Sequence, residues 1–144
     1  MLVSQILKTK QLHDVVTAPP TMTISEAARI LSENRIGTVV VSRDGETADG
    51  ILSERDIVRE LGARGAGCLT QTVESLMTSK LITCSVNDKA DEVLQKMTEG
   101  RFRHMPVIEG GKLLGLISLG DVVKARLMEL AMEKDALEGM IMGH

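Results

Sequence analysis

Gly50-Ile51-Leu52-Ser53-Glu54-Arg55-Asp56 and Gly115-Leu116-Ile117-Ser118-Leu119-Gly120-Asp121 are two copies of one pattern: Gly, two apolar residues, Ser, two variable positions, Asp. Paired β-branched residues follow each copy, Ile57-Val58 and Val122-Val123. An apolar run that ends in Ser, with an acid three residues later, is the pattern of a strand turning directly into a capped helix. The copies lie sixty-five positions apart, so the chain is a tandem repeat whose function is carried out twice or at a shared interface.

Upstream of each copy stand the same elements. Val3-Ser4-Gln5-Ile6-Leu7 reads as a helical turn with Val3, Ile6 and Leu7 on one face, and it recurs as Val73-Glu74-Ser75-Leu76-Met77. Asp14-Val15-Val16-Thr17 and Leu81-Ile82-Thr83 read as short strands. Thr23 and Glu26 form a capping-box pattern for an amphipathic helix reaching about Asn34, with Ala27, Ile30 and Leu31 as its stripe. In the second repeat Asn87 or Asp88 is the cap, Val93, Leu94 and Met97 the stripe, and Gly100 the stop. A shift of 66 sets Val16 on Ile82, Thr17 on Thr83, Glu26 on Glu92, Glu33 on Glu99 and Arg35 on Arg101, which marks a duplication.

Strands at 37–41 and 104–108 follow, with hairpin turns at Arg43-Asp44-Gly45 and Glu109-Gly110-Gly111 leading back into the motif. The shift falls to 65 there, so the first hairpin loop is one residue longer. Pro106 inside a strand predicts an edge or a bulge. The first closing helix is expected from 54 to about 61, ending in a flexible Gly-rich linker at 62–67. The second is expected from about 119 to 138, with Val123, Leu127, Leu130 and Leu137 at helical steps beside Met128 and Met132. A helix this long on a small domain is either a core helix with a solvated tail or a dimer contact. The repeats divide the chain into 1–66 and 67–144, each marginal alone and expected to pack on the other.

At 144 residues, 43% apolar and 26% charged, the composition is that of a globular protein with a real core. A net charge of −3 offers no bulk attraction to nucleic acid or to an anionic membrane. Phe102 is the only aromatic residue, so base stacking on aromatic platforms is unavailable. Cys68 and Cys84 have no metal-ligand spacing around them; a disulfide stays open, but two thiols in a reducing cytosol is the preferred reading. The N-terminus has no signal-peptide core and no run approaches a membrane span, so a cytoplasmic protein is expected. The sequence shows no nucleophile elbow, metal cluster, Walker loop or dinucleotide fingerprint, which argues against an enzyme.

The order strand, helix, strand, hairpin, strand, helix, repeated with its Gly-h-h-Ser-x-x-Asp ending, resembles the cystathionine-β-synthase-type (CBS) domain in tandem. The fragments at 51–59, 103–107 and 115–127 carry the likeness, and together they resemble small stand-alone bacterial CBS-pair proteins. The resemblance implies an α+β fold of two β-α-β-β-α motifs, packed through their small sheets with pseudo-twofold symmetry. It further implies two clefts for adenosine-containing effectors (AMP, ADP, ATP, NAD(H) or S-adenosylmethionine), a homodimer, and a separate effector protein. No metal is implied.

In the family the motif Asp binds the ribose hydroxyls and the Ser approaches ribose or phosphate, which nominates Asp56, Asp121, Ser53 and Ser118. The chemistry is apt, because an ionised carboxylate accepts both hydroxyls of a ribose diol and helix N–H groups can hold phosphate. The competing reading is that Ser and Asp form a capping box and only start the helix. Arg55, Arg103 and His104 are candidate phosphate partners without basic counterparts in the other repeat, so two unequal clefts are expected. Thr17, Ile82 and Thr83 fall where the family contacts adenine. Thr38, the counterpart of His104, and Pro106 complete the candidate set.

Overall fold

A computed structural model describes residues 1–10 and 15–141. Its first half carries a three-stranded sheet of β1 (Thr17–Ala18), β2 (Thr38–Val41) and β3 (Gly50–Ser53). β2 lies in the middle, parallel to β1 and antiparallel to β3, and all four of its residues are buried. An unbroken Thr-Val-Val-Val run suits a strand covered on both faces. The second half pairs β4 (His104–Glu109) with β5 (Lys112–Ser118). The strand expected at 81–83 does not form. Its place is held by a single parallel bridge, in which Cys84 N–H donates to Pro106 O at 3.0 Å and Ile108 N–H donates to Cys84 O at 2.9 Å. The bulge that Pro106 foretold falls at Val107/Ile108. The first expected strand reduces to Thr17–Ala18, and its Asp14 end lies outside the described residues.

Among the described residues six α-helices accompany the strands: α1 (Val3–Thr9), α2 (Ile24–Asn34), α3 (Glu54–Arg64), α4 (Val73–Leu76), α5 (Ala90–Gly100) and α6 (Leu119–Ile141). Thr23 caps α2 as expected, its hydroxyl accepting Glu26 N–H at 3.2 Å. At α5 the cap is Lys89, without a side-chain bond, because Asp88 turns back to accept Ser85 N–H at 2.9 Å. The expected glycine stop also moves by one residue. Both α2 and α5 end on an arginine in the left-handed region, Arg35 (φ 53°) and Arg101 (φ 56°). Gly100 is the last helical residue, and the Phe102 ring fills the place where its side chain would start. The stretch at 62–67 is not a flexible linker: α3 runs through Gly62, and a 3-10 turn at Ala66–Thr70 buries Cys68.

The leader helices are exchanged between the halves. α1 packs on the second half, where Val3 and Ile6 join Val93, Met97, Met105 and Ile117 in one core. α4 packs on the first half, where Val73 joins Ile24, Leu31, Val39 and Leu52 in the other. Backbone bonds repeat the exchange: Val3 N–H donates to Asp88 O at 2.9 Å and Val73 N–H to Met22 O at 2.7 Å. This explains the glycine that begins each motif. A Cβ on Gly115 would stand 2.8 Å from Leu7 of α1, and one on Gly50 would stand 2.9 Å from the Thr78 carbonyl beside α4. The leader passes directly over each motif glycine, so each half needs the other's leader to close its core.

α6 begins in the second core, where Val122 and Ala125 are buried. Beyond them it projects, leaving Leu127 62%, Leu130 50% and Leu137 59% exposed. Among the described residues no helix is long and apolar enough to cross a membrane.

Candidate functional site

Each motif aspartate lies in the first turn of its helix, and the capping box forms in both copies. Asp56 Oδ2 accepts the Ser53 N–H at 2.9 Å and the Ser53 hydroxyl at 2.9 Å, while Ser53 Oγ accepts Asp56 N–H at 3.2 Å. Asp121 Oδ2 accepts Ser118 N–H at 2.8 Å, and Ser118 Oγ accepts Asp121 N–H at 3.1 Å. The helix-starting role is therefore real, but it engages one carboxylate oxygen. Among the described residues Asp56 Oδ1 has only Arg59 Nη1 at 3.5 Å, the limit of a hydrogen bond.

Asp121 has a closer partner. Lys10, just past the end of α1, donates from Nζ to Asp121 Oδ2 at 2.9 Å and to the Leu116 carbonyl at 2.7 Å. Burial works to raise the Asp121 carboxyl, but the Ser118 N–H and the Lys10 ammonium outweigh it and hold it below the ordinary value. Lys10 was not singled out in the sequence. The signal was there: Lys80 follows the second leader at the same offset of 70, and it lines the other cleft.

Two clefts flank the line where the halves meet. The first, of about 560 Å³, is lined by Ser53, Asp56 and Ile82 together with Arg55, Arg59, Lys80, Arg101 and Arg103. Arg103 thus sits in the cleft of the other repeat's aspartate, and the basic residues converge on one site. The unequal clefts expected from sequence are present, and more unequal than the linear order suggested. The second cleft, of about 510 Å³, is walled by Leu7, Val15, Val16, Ile36, Leu114 and Leu116, with Lys8, Lys10 and Ser118 supplying its polar groups. Asp121 does not reach this wall; Lys10 stands at its carboxylate instead.

Thr38 and His104 line both clefts, and their Oγ1 and Nδ1 atoms stand 3.1 Å apart. Burial lowers the His104 imidazole below its ordinary value, and the neighbouring Lys10 lowers it further. Thr17, Thr83 and Pro106 line neither cleft. Thr17 is engaged in β1 against Val40, Pro106 is buried inside β4, and Thr83 faces solvent one residue before the Cys84 bridge. Val15, Val16 and Leu81 take the wall positions expected of Thr17 and Thr83.

The CBS domain family pattern matches residues 3–63 and 73–128. Among solved structures, the CBS-domain containing protein ATU1752 from Agrobacterium tumefaciens is 44% identical, with a TM-score of 0.82 over 88% of this chain and 99% of its own. The CBS domain protein PAE2072 from Pyrobaculum aerophilum, solved in complex with AMP, is 31% identical, with a TM-score of 0.78 over 92% of this chain and 99% of its own. The mitochondrial CBS domain-containing protein CBSX3 of Arabidopsis thaliana is 34% identical over 84% of this chain, which spans 61% of that relative's length. With two matched copies, an α+β fold and neighbours of the same architecture, the chain belongs to the CBS domain family as a tandem pair.

Proposed function

We propose that the chain is a non-catalytic regulatory module that holds an adenosine nucleotide in the Asp56 cleft and passes the bound state to a separate partner. One observation carries this reading: an aspartate whose Oδ1, among the described residues, meets only the exposed Arg59 guanidinium, at 3.5 Å, lines a single cleft with Arg55, Arg59, Lys80, Arg101 and Arg103. The carboxylate suits a ribose diol, the α3 N-terminus and the cations suit phosphate, and Ile82, 49% exposed, offers an apolar surface to a base. The AMP complex of the Pyrobaculum relative supports the ligand class. The charge of the cleft favours AMP, ADP, ATP or NAD(H) over S-adenosylmethionine, whose sulfonium adds a further positive charge. A thermal-shift panel of these compounds tests it, since a ligand of the folded state raises the melting temperature. The phosphorylated nucleosides are expected to stabilise the protein most, and no shift with any of them would refute the reading.

The exposed stripe of α6 favours a second reading, a dimerisation or docking module that works without nucleotide. It predicts a dimer by light scattering that Leu127→Asp with Leu130→Asp converts to monomer, and no thermal shift with any nucleoside.

A further inference from the structure

α6 outruns the fold it belongs to. Val122 and Ala125 hold its first turns in the second core, but from Leu127 to Ile141 no residue is buried. Eight of the eleven large apolar residues exposed among the described residues lie on this one helix. Five of them fall on one line. Val123, Leu127, Leu130, Lys134, Leu137 and Ile141 follow at steps of four, three, four, three and four residues, the spacing of a seam between two helices. At 3.6 residues per turn this seam points roughly 130° away from Val122 and Ala125, so it is a second apolar face and not the margin of the core. A projecting helical segment gains little from propensity alone and is held mainly by what packs on its apolar side.

We infer that the seam is covered by α6 of a second copy of this chain, lying antiparallel across a twofold axis beside Met132. It rests on the second reading above, dimerisation through α6, and needs no nucleotide. Antiparallel pairing sets Val123 on Ile141, Leu127 on Leu137 and Leu130 on Lys134 of the second copy, and the twofold repeats each layer. The charges select this direction. Lys134 is the only charged residue in the seam, and its ammonium leans out to Glu138 on the rim at 3.8 Å. Opposite Leu130 its stem covers apolar surface while its head stays in water. Lys124 of the second copy then comes to the other side of the same Glu138, and the twofold makes this contact twice. The one like-charge contact along the rim is Glu133 with itself across the axis. Parallel helices would set Lys134 against Lys134 inside the seam and Glu133 against Glu138 twice along its edges, and no flanking position would pair opposite charges. A single lysine in an otherwise apolar seam thus fixes direction and register together.

The test is disulfide trapping on the full chain, in which the native Cys68 and Cys84 are buried. Leu127→Cys and Leu137→Cys are made separately, checked for dimer mass by light scattering, and oxidised each alone and as an equal mixture. A disulfide needs Cα atoms within roughly 7 Å. In the antiparallel pair residue 127 meets residue 137, whereas two copies of either residue stand roughly 15 Å apart. The mixture should therefore yield a covalent dimer that neither variant yields alone. If either variant loses the dimer, the rim pair Lys124→Cys and Glu138→Cys, joined by a short bismaleimide, replaces them with the same expected pattern. Covalent dimers from each variant alone would show parallel helices and overturn the inference, and so would a dimer that no combination traps; both outcomes leave dimerisation standing. A monomeric parent would end the inference and the second reading together, and would leave the nucleotide reading of the Asp56 cleft untouched.

Discussion

Thr38 Oγ1 and His104 Nδ1 meet at 3.1 Å, one from each half, at positions separated by the 66-residue period of the repeat itself. The repeat axis therefore passes between two unlike side chains, a hydroxyl and an imidazole, and both clefts share them as a common wall. This contact is one of the places where the duplicated halves are chemically distinct.

The histidine gives a pH signature. Its folded-state value lies below the ordinary 6.5 because burial disfavours the charged ring. Between these two values the unfolded chain binds more protons than the folded one. The stability that this group contributes is complete above about pH 6.5 and is lost as pH falls toward the folded value. Asp121, held below 3.8, does not titrate in this range. Urea unfolding at pH 7.5 and pH 5.5 should show a loss for the parent that His104→Gln reduces; equal losses would remove His104 from the account.

The motif glycines are spacing residues for the exchanged leaders, and the two are not equivalent. At Gly50 an added methyl meets the Thr78 carbonyl at 2.9 Å, which is backbone and cannot turn aside. At Gly115 it meets the end of the Leu7 side chain, which can. Gly50→Ala should cost about 1–3 kcal/mol, and Gly115→Ala less, in chemical denaturation. Leu7→Ala combined with Gly115→Ala should lose less than the sum of the two single changes.

Arg101 combines an unfavourable backbone with a place in the Asp56 cleft. A non-glycine residue in the left-handed region costs about 1 kcal/mol, which Arg101→Gly relieves in part. Arg35→Gly relieves the same strain at the other helix end, away from that cleft. Both variants should unfold at slightly higher urea concentration, but only Arg101→Gly should weaken binding of a phosphorylated nucleoside, read by calorimetry.

Features fixed by local chemistry were legible in the sequence. The capping boxes at Ser53 and Ser118, the Gly110-Gly111 turn with both φ positive, and the bulge beside Pro106 depend on neighbours within a few residues. The exchange of α1 and α4 was not legible, because Val3 and Val73 have the same pattern whichever half they join. The same blindness hid the cleft chemistry. Arg103 belongs to the second repeat, yet it lines the cleft of the first repeat's aspartate, and Lys10 reaches Asp121 across 111 residues of chain. Gly62 looked like a helix breaker, but α3 continues through it to Arg64, with no side chain near enough to hinder it.

The central claim is that Asp56 presents a ribose acceptor in a cationic cleft. It is tested most directly by calorimetric titration of AMP into the parent and into Asp56→Ala, with Asp56→Asn as a variant that retains an acceptor for the Ser53 N–H. Losing the cap should cost Asp56→Ala about 1 kcal/mol of stability, so cooperative unfolding of each protein is checked first. The account predicts AMP affinity lowered roughly 10–100-fold in Asp56→Ala, as the loss of one or two charge-assisted bonds requires. Unchanged affinity in a folded Asp56→Ala protein would contradict it.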